Sequence, residues 1–283
     1  MRSIPKQLAT FAVVLATLFG VGLAAGQVIG ADAPGGKAKG HGSANEMKGM
    51  TGHGGGADPV RGLAVAENGL RLVVDDPELR RGQAERLRYR IVDERGATVR
   101  DFEVEATKRM HLVVARRDLT GFQHLHPEQA ADGSWTVALR LDEPGSYRLF
   151  ADFATGGKPH TLASDLRVDG SADLVDLPAP EPRARTSDGY DVRLDGSGED
   201  LRFTVMRGGR VVHVEPYLGA GGHLVALREG DLAFLHVHPV TGEGHDDSIR
   251  FGATFPTAGR YRLFLQFKHE GRVHTAAFTK AVR

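Results

Sequence analysis

The chain repeats itself, and histidines occupy the repeated places. His111 is followed by Leu112 and Val113, then by Phe122, His124, Leu125, His126 and Pro127. His223 is followed by Leu224 and Val225, then by Phe234, His236, Val237, His238 and Pro239. The step from His111 to His124 is 13 positions, as is that from His223 to His236. Further on, Tyr147-Arg148-Leu149-Phe150 with Phe153, His160 and Thr161 matches Tyr261-Arg262-Leu263-Phe264 with Phe267, His274 and Thr275. A duplication restricts the fold to something that can be built twice, from units of roughly 100 residues. A unit of that size buries about two-thirds of its unfolded surface, so each copy can hold its own core.

From about residue 60 the sequence breaks into short alternating segments such as Leu87-Arg88-Tyr89-Arg90-Ile91-Val92 and Leu201 to Val205. Turn signals punctuate them, among them Asp132-Gly133, Pro144-Gly145, Gly156-Gly157 and Gly208-Gly209. No stretch sustains a helical period. The expected fold class is all-β: two tandem Ig-like or cupredoxin-like β-sandwich domains, over residues 59–169 and 188–283. Three prolines between Asp176 and Arg185 mark a linker, assigned to 170–187.

The N-terminal part reads differently. Arg2 and Lys6 precede an uncharged apolar run from Leu8 to Ala25, so residues 1–31 are expected to act as an export signal or a membrane anchor. The basic residues keep the N-terminus inside and place the remainder outside the cytoplasm, either anchored through residues 8–31 or secreted. Residues 32–58 are Gly-rich and aperiodic, a flexible tether. It carries His41, Met47, Met50 and His53, two imidazoles and two thioethers that either bind copper or are incidental to a solvated linker.

Composition narrows the chemistry. Thirty-six basic residues balance thirty-six acidic ones, which disfavours nucleic acid as a partner. There is no cysteine, so disulfides, Cys-based zinc fingers, iron–sulfur clusters and blue-copper sites are excluded. No serine sits in a nucleophile elbow and no glycine-rich stretch has the context of a phosphate loop. No enzymatic activity is expected.

Imidazole is the commonest nitrogen ligand of transition metals. In a strand, residues at i and i+2 share a face, so His124 with His126 and His236 with His238 form chelating pairs. Strand ends of a sandwich meet at a common rim, where His111 and His160, or His223 and His274, could join them. The expectation is one metal site per domain: His111, His124, His126 and His160 in the first, and His223, His236, His238 and His274 in the second. The competing explanation is a set of rim histidines that pack over apolar edges and bond to loops. His213, His245 and His269 occur only in the second copy and read as surface residues, with His245 beside Asp246 and Asp247 a weaker extra ligand.

An export segment, a Met/His tether and cysteine-free Ig-like domains together resemble exported bacterial copper-handling proteins of the CopC and YtkA-like kind. The HxHP and GxYRLF segments also resemble actinobacterial secreted proteins of heavy-metal-binding type. That resemblance implies copper as the cofactor, with zinc the second candidate, and a role in metal buffering, transfer or resistance. The partners it implies are the metal ion and a membrane metal transporter. The first rival is a non-catalytic cell-surface Ig-like interaction protein, and the second a metalloenzyme using the same histidines.

Overall fold

The computed structural model describes residues 60–196, 198–235, 237–240 and 248–283, with the backbone alone at His238. His41, Met47, Met50, His53, His236, His245 and the 8–31 segment lie outside these residues. Among the described residues no helix is long and apolar enough to cross a membrane.

The protein is all-β. The first half contains β1 (Ala66–Glu67), β2 (Leu70–Val74), β3 (Glu78–Leu79), β4 (Ala84–Val92), β5 (His111–Arg116), β6 (Gln123–Leu125), β7 (Glu128–Gln129), β8 (Trp135–Arg140), β9 (Gly145–Thr155) and β10 (Lys158–Val168). The second contains β11 (Arg183–Arg185), β12 (Tyr190–Asp195), β13 (Asp200–Arg207), β14 (Arg210–Val211), β15 (His223–Arg228), β16 (Phe234–Leu235), β17 (His238–Pro239), β18 (Ser248–Gly252), β19 (Gly259–His269) and β20 (Arg272–Val282). In the first half the sheets run β1-β2-β4-β8-β7 and β3-β10-β9-β5-β6; in the second, β11-β12-β13-β18-β17 and β16-β15-β19-β20. Among the described residues the order is the same strand for strand, apart from β3 in the first half and β14 in the second.

Alternation builds each sandwich. In β4, Leu87, Tyr89 and Ile91 point inward and meet Leu112, Val114, Leu149 and Leu162 of the facing sheet. In β13, Leu201, Phe203 and Val205 do the same against Leu224, Leu263, Leu265 and Phe278. The repeated tyrosines close a corner in each copy. The Tyr147 hydroxyl donates to the Glu143 carbonyl at 2.8 Å and that of Tyr261 to the Thr257 carbonyl at 2.9 Å, a polar tip satisfied beside an apolar ring.

The strands β5, β9, β15 and β19 are apolar on both faces, which a two-layer sandwich alone does not require. Their outer faces meet each other. Val113, Ala115, Phe150 and Ala163 of the first sandwich pack on Val225, Leu227, Phe234 and Phe264 of the second, with Leu177 of the linker, to form a third core. The contact is reciprocal: Phe122 stacks on Phe264 with ring centroids 4.0 Å apart, and Phe234 meets Phe150 at 5.4 Å. Arg117 adds a bond to the Gly230 carbonyl at 3.1 Å.

A short strap laces this junction. Gly62 donates to the Thr161 carbonyl of β10 at 3.2 Å, and the Phe234 amide of β16 donates to the Arg61 carbonyl at 3.0 Å. Gly62 has φ +69°, and a Cβ there would stand 2.8 Å from Phe234 Cβ and 2.9 Å from Phe150 Cδ1. Glycine is therefore required by both its backbone and its neighbours. Gly62→Ala is expected to cost about 2 kcal/mol of stability in urea unfolding; an unchanged midpoint would contradict the strap's role.

Candidate metal centre between the sandwiches

The same alternation that builds the third core decides where the histidines go. In β5, Leu112 and Val114 face the first core while His111 shares the outer face with Val113 and Ala115. In β15, Leu224 and Ala226 face inward and His223 shares the outer face with Val225 and Leu227. His124 lies opposite Val113 in the β5–β6 ladder, and so also faces the second sandwich. His111, His124 and His223 are thereby gathered at one end of the interdomain core. One ligand nitrogen from each lies within 4.8 Å of the others. The His111 and His223 rings stack at 5.6 Å between centroids, and His124 and His223 at 4.5 Å.

With the Gln266 oxygen toward His124, hydrogen bonds select the tautomers. His111 Nε2 lies 3.1 Å from the Glu105 carbonyl, which can only accept, so Nε2 carries the proton and Nδ1 keeps a lone pair. His124 Nδ1 donates to Gln266 Oε1 at 2.6 Å, which leaves the lone pair on Nε2. Those two lone pairs face each other, His111 Nδ1 and His124 Nε2 being 3.1 Å apart. Two such atoms repel unless a proton or a cation sits between them. Two nitrogens bound to one ion at roughly 2.0–2.1 Å stand about 3–4 Å apart, a range that includes this separation. Backbone carbonyl and side-chain amide holding the far nitrogens is the usual support for ligating imidazoles. With Gln266 turned over, the chain Gln266–His124–His111–Glu105 would close with protons alone.

Glu105 belongs to a tight turn that is itself strained. Ala106 and Thr107 have φ of 43° and 69°, unusual for non-glycine residues and most of all for a β-branched one. Paired amide bonds between Glu105 and Lys108, 2.8 and 2.9 Å, hold it. The second copy has the equivalent turn at Tyr217 to Ala220, with Leu218 at 54° and Gly219 at 83°. The two turns, with Asp152, His111, His223, Val237 and Pro239, line a cleft of about 560 Å³ that opens onto the histidines.

The sequence grouped the histidines by domain; the structure groups them across domains. His126 remains beside the cluster, its ring 5.1 Å from that of His111 and 4.8 Å from that of His124. Its Nε2 is buried without a hydrogen-bond partner, which makes it a fourth candidate ligand. His160 and His274 point the other way. They share faces with Leu162 and with Ala276 and Phe278, inside their own sandwiches, and stack on Phe153 and Phe267 at 5.5 and 5.3 Å. His274 is further tied to Asp188 at 2.5 Å and to the His269 carbonyl at 3.1 Å. Strand parity separates these two from the cluster.

Sequence reasoning did not single out Gln266 and Asp152. Each is the outward polar residue two positions beyond a repeated phenylalanine, Phe264 or Phe150, and each lies opposite a cluster histidine, Gln266 opposite His223 and Asp152 opposite His111. That repeated polar position was the available signal.

Burial pushes the His124 imidazole down to about 3, with the Gln266 bond opposing and His111 and His126 adding to it. Burial likewise takes His126 to about 4, helped by His111 and Lys108. Both are neutral at pH 7 and available as ligands. The unfolded chain takes up protons on these groups from about pH 6.5 downward, whereas the folded one does so only near pH 3–4. Stability of the metal-free protein is therefore full above about pH 6.5 and lost as pH falls toward 4. Urea unfolding across that range should show the fall, and His124→Gln should make it shallower. A flat profile would contradict a buried neutral pair.

Comparison with known proteins shows the following. No curated protein matches the chain. The solved structures similar to it include the Escherichia coli adhesin FdeC (14% identity, 77% of this chain, 66% of that one, TM-score 0.27). They also include Salmonella alpha-2-macroglobulin reacted with methylamine (15%, 80% and 15%, TM-score 0.29) and Yersinia pseudotuberculosis InvD (13%, 76% and 57%, TM-score 0.26). The chain thus spans less than two-thirds of each of these proteins. The family described as "Domain of unknown function (DUF8832)" matches residues 64–170 and 185–283, one stretch per sandwich and together well over half of the chain. The protein belongs to the DUF8832 family and carries its domain twice.

Proposed function

We propose that this protein binds one transition-metal ion, copper or zinc, at the junction of its two sandwiches, and serves as a non-catalytic metal buffer or carrier outside the cytoplasm. The observation that carries this reading is the convergence of His111, His124 and His223, one nitrogen of each within 4.8 Å of the others and His111 Nδ1 only 3.1 Å from His124 Nε2. Imidazoles suit copper and zinc alike. His111, His124 and His223 would hold the ion, with His126 in reserve, and the cleft leaves room on the open side for a donor or acceptor of the ion. The location outside the cytoplasm follows from the apolar run of residues 8–25 behind Arg2 and Lys6. The tether with His41, Met47, Met50 and His53 would add a second, softer copper site.

The rival reading, a cell-surface Ig-like interaction protein, draws on the fold: tandem sandwiches whose β1-β2-β4-β8-β7 and β11-β12-β13-β18-β17 sheets take no part in the third core. It requires no metal. Titration with zinc or copper(II), with His41, Met47, Met50 and His53 replaced by alanine, separates the two. The expected result is one ion per chain. His124→Ala should weaken it by at least about 100-fold, and Gln266→Ala by about 10-fold to 100-fold, as for residues that orient ligands. His160→Ala should leave affinity unchanged, because its ring faces the first core. Absence of binding by the parent would leave the interaction protein as the better account.

A further inference from the structure

The three imidazoles come from two bodies. His111 and His124 belong to the first sandwich, His223 to the second, and Gln266 of the second orients His124 of the first across the junction. No disulfide is available to fix the two together, since the chain has no cysteine. What fixes them is the apolar contact of Val113, Ala115 and Phe150 with Val225, Leu227 and Phe264, and the strap through Gly62. Ligand geometry is therefore a property of the contact between sandwiches rather than of either one.

Resting on the metal-binding reading above, we propose that the ion is a staple: both sandwiches hold it jointly, it tightens their contact, and it leaves when the contact opens. Opening withdraws His223 and removes the Gln266 acceptor from His124 in one movement. Two or three imidazoles then remain where there had been three or four. Coupling of this kind is reciprocal, so metal must stabilise the closed arrangement by the factor by which closure strengthens metal binding. A partner that pries the sandwiches apart would take delivery of the ion, and the cleft beside His111 and His223 is the way in.

Leu227 offers a test that touches no ligand. It is fully buried on the outer face of β15, four residues beyond His223, roughly 13 Å along the strand. Its neighbours Ala226 and Leu224, not Leu227 itself, serve the second sandwich's own core. Leu227→Asp places an unpaired charge in the junction and leaves each sandwich its core. The experiment uses the full chain with the four tether residues replaced by alanine, and zinc as the probe. Affinity is read by competition with a chromogenic chelator, opening by the radius of gyration in solution scattering, and folding by circular dichroism. Leu227→Asp should retain its β signal, expand, and bind zinc more weakly. If the closed form falls to about 1% of the population, the apparent affinity falls about 100-fold. Phe264→Ala, which trims the junction without adding a charge, should weaken binding about 10-fold, and decides the matter if Leu227→Asp does not fold. His223→Ala should lose most of the affinity without expanding the fold. An expanded Leu227→Asp with parental affinity, or a His223→Ala with parental affinity, overturns the staple and assigns the ion to the first sandwich alone. Failure of the parent to bind zinc or copper(II) instead overturns the metal-binding reading itself.

Discussion

The outward apolar faces of β5, β9, β15 and β19 are the constraint on which the rest depends. A sandwich strand ordinarily buries one face and wets the other. Here Val113, Ala115, Phe150, Val225, Leu227 and Phe264 are nearly or fully buried on the face that would otherwise meet water. Each sandwich therefore cannot stand well alone, and pairing through these faces turns two repeats into one body. The reciprocal Phe122–Phe264 and Phe150–Phe234 contacts show the pairing using the same positions from both copies. Once the sheets are packed this way, any residue at the end of those outer faces meets its counterpart from the other copy. His111 and His223 are such residues, and their stacked rings are the consequence.

The chemistry of the junction follows from removing water around imidazole. Beside His111, His124 and His126 are kept neutral by burial. The Glu105 carbonyl accepts from the outer nitrogen of His111, and the Gln266 amide oxygen from that of His124. The inner nitrogens then face each other at 3.1 Å, an arrangement that a cation would stabilise. His160 and His274 show the contrast. The same residue type at matched positions, placed on the opposite face, becomes a ring stacked on Phe153 or Phe267. His274 also bonds a carboxylate, Asp188, whereas His160 keeps a buried Nδ1 without a partner.

Much of the fold was legible in the sequence because alternation and turn residues are local signals. The all-β class, the tandem sandwiches and the sharing of one face by Phe122 and His124 could all be read from spacing. The outward apolar residues of β5 and β15 carry no local mark of what covers them, since nothing local tells a rim from a domain contact. That is why the histidines were grouped by copy. Proximity of His111 to His223 is a non-local fact, created by packing of residues more than a hundred positions apart. Parity could have separated His160 and His274 from the others. His160 falls in step with Leu162 and Leu166, which are core, while Thr161 and Ala163 face outward. Reading Asp152 and Gln266 as outward polar positions needed the same step.

The central claim is that a metal bridges the two sandwiches, and anomalous scattering from crystals grown with zinc tests it most directly. The account predicts one strong peak at the junction, at bonding distance from nitrogens of His111, His124 and His223. Two peaks, one within each sandwich beside His160 and His274, or no peak at the junction at saturating zinc, would contradict it.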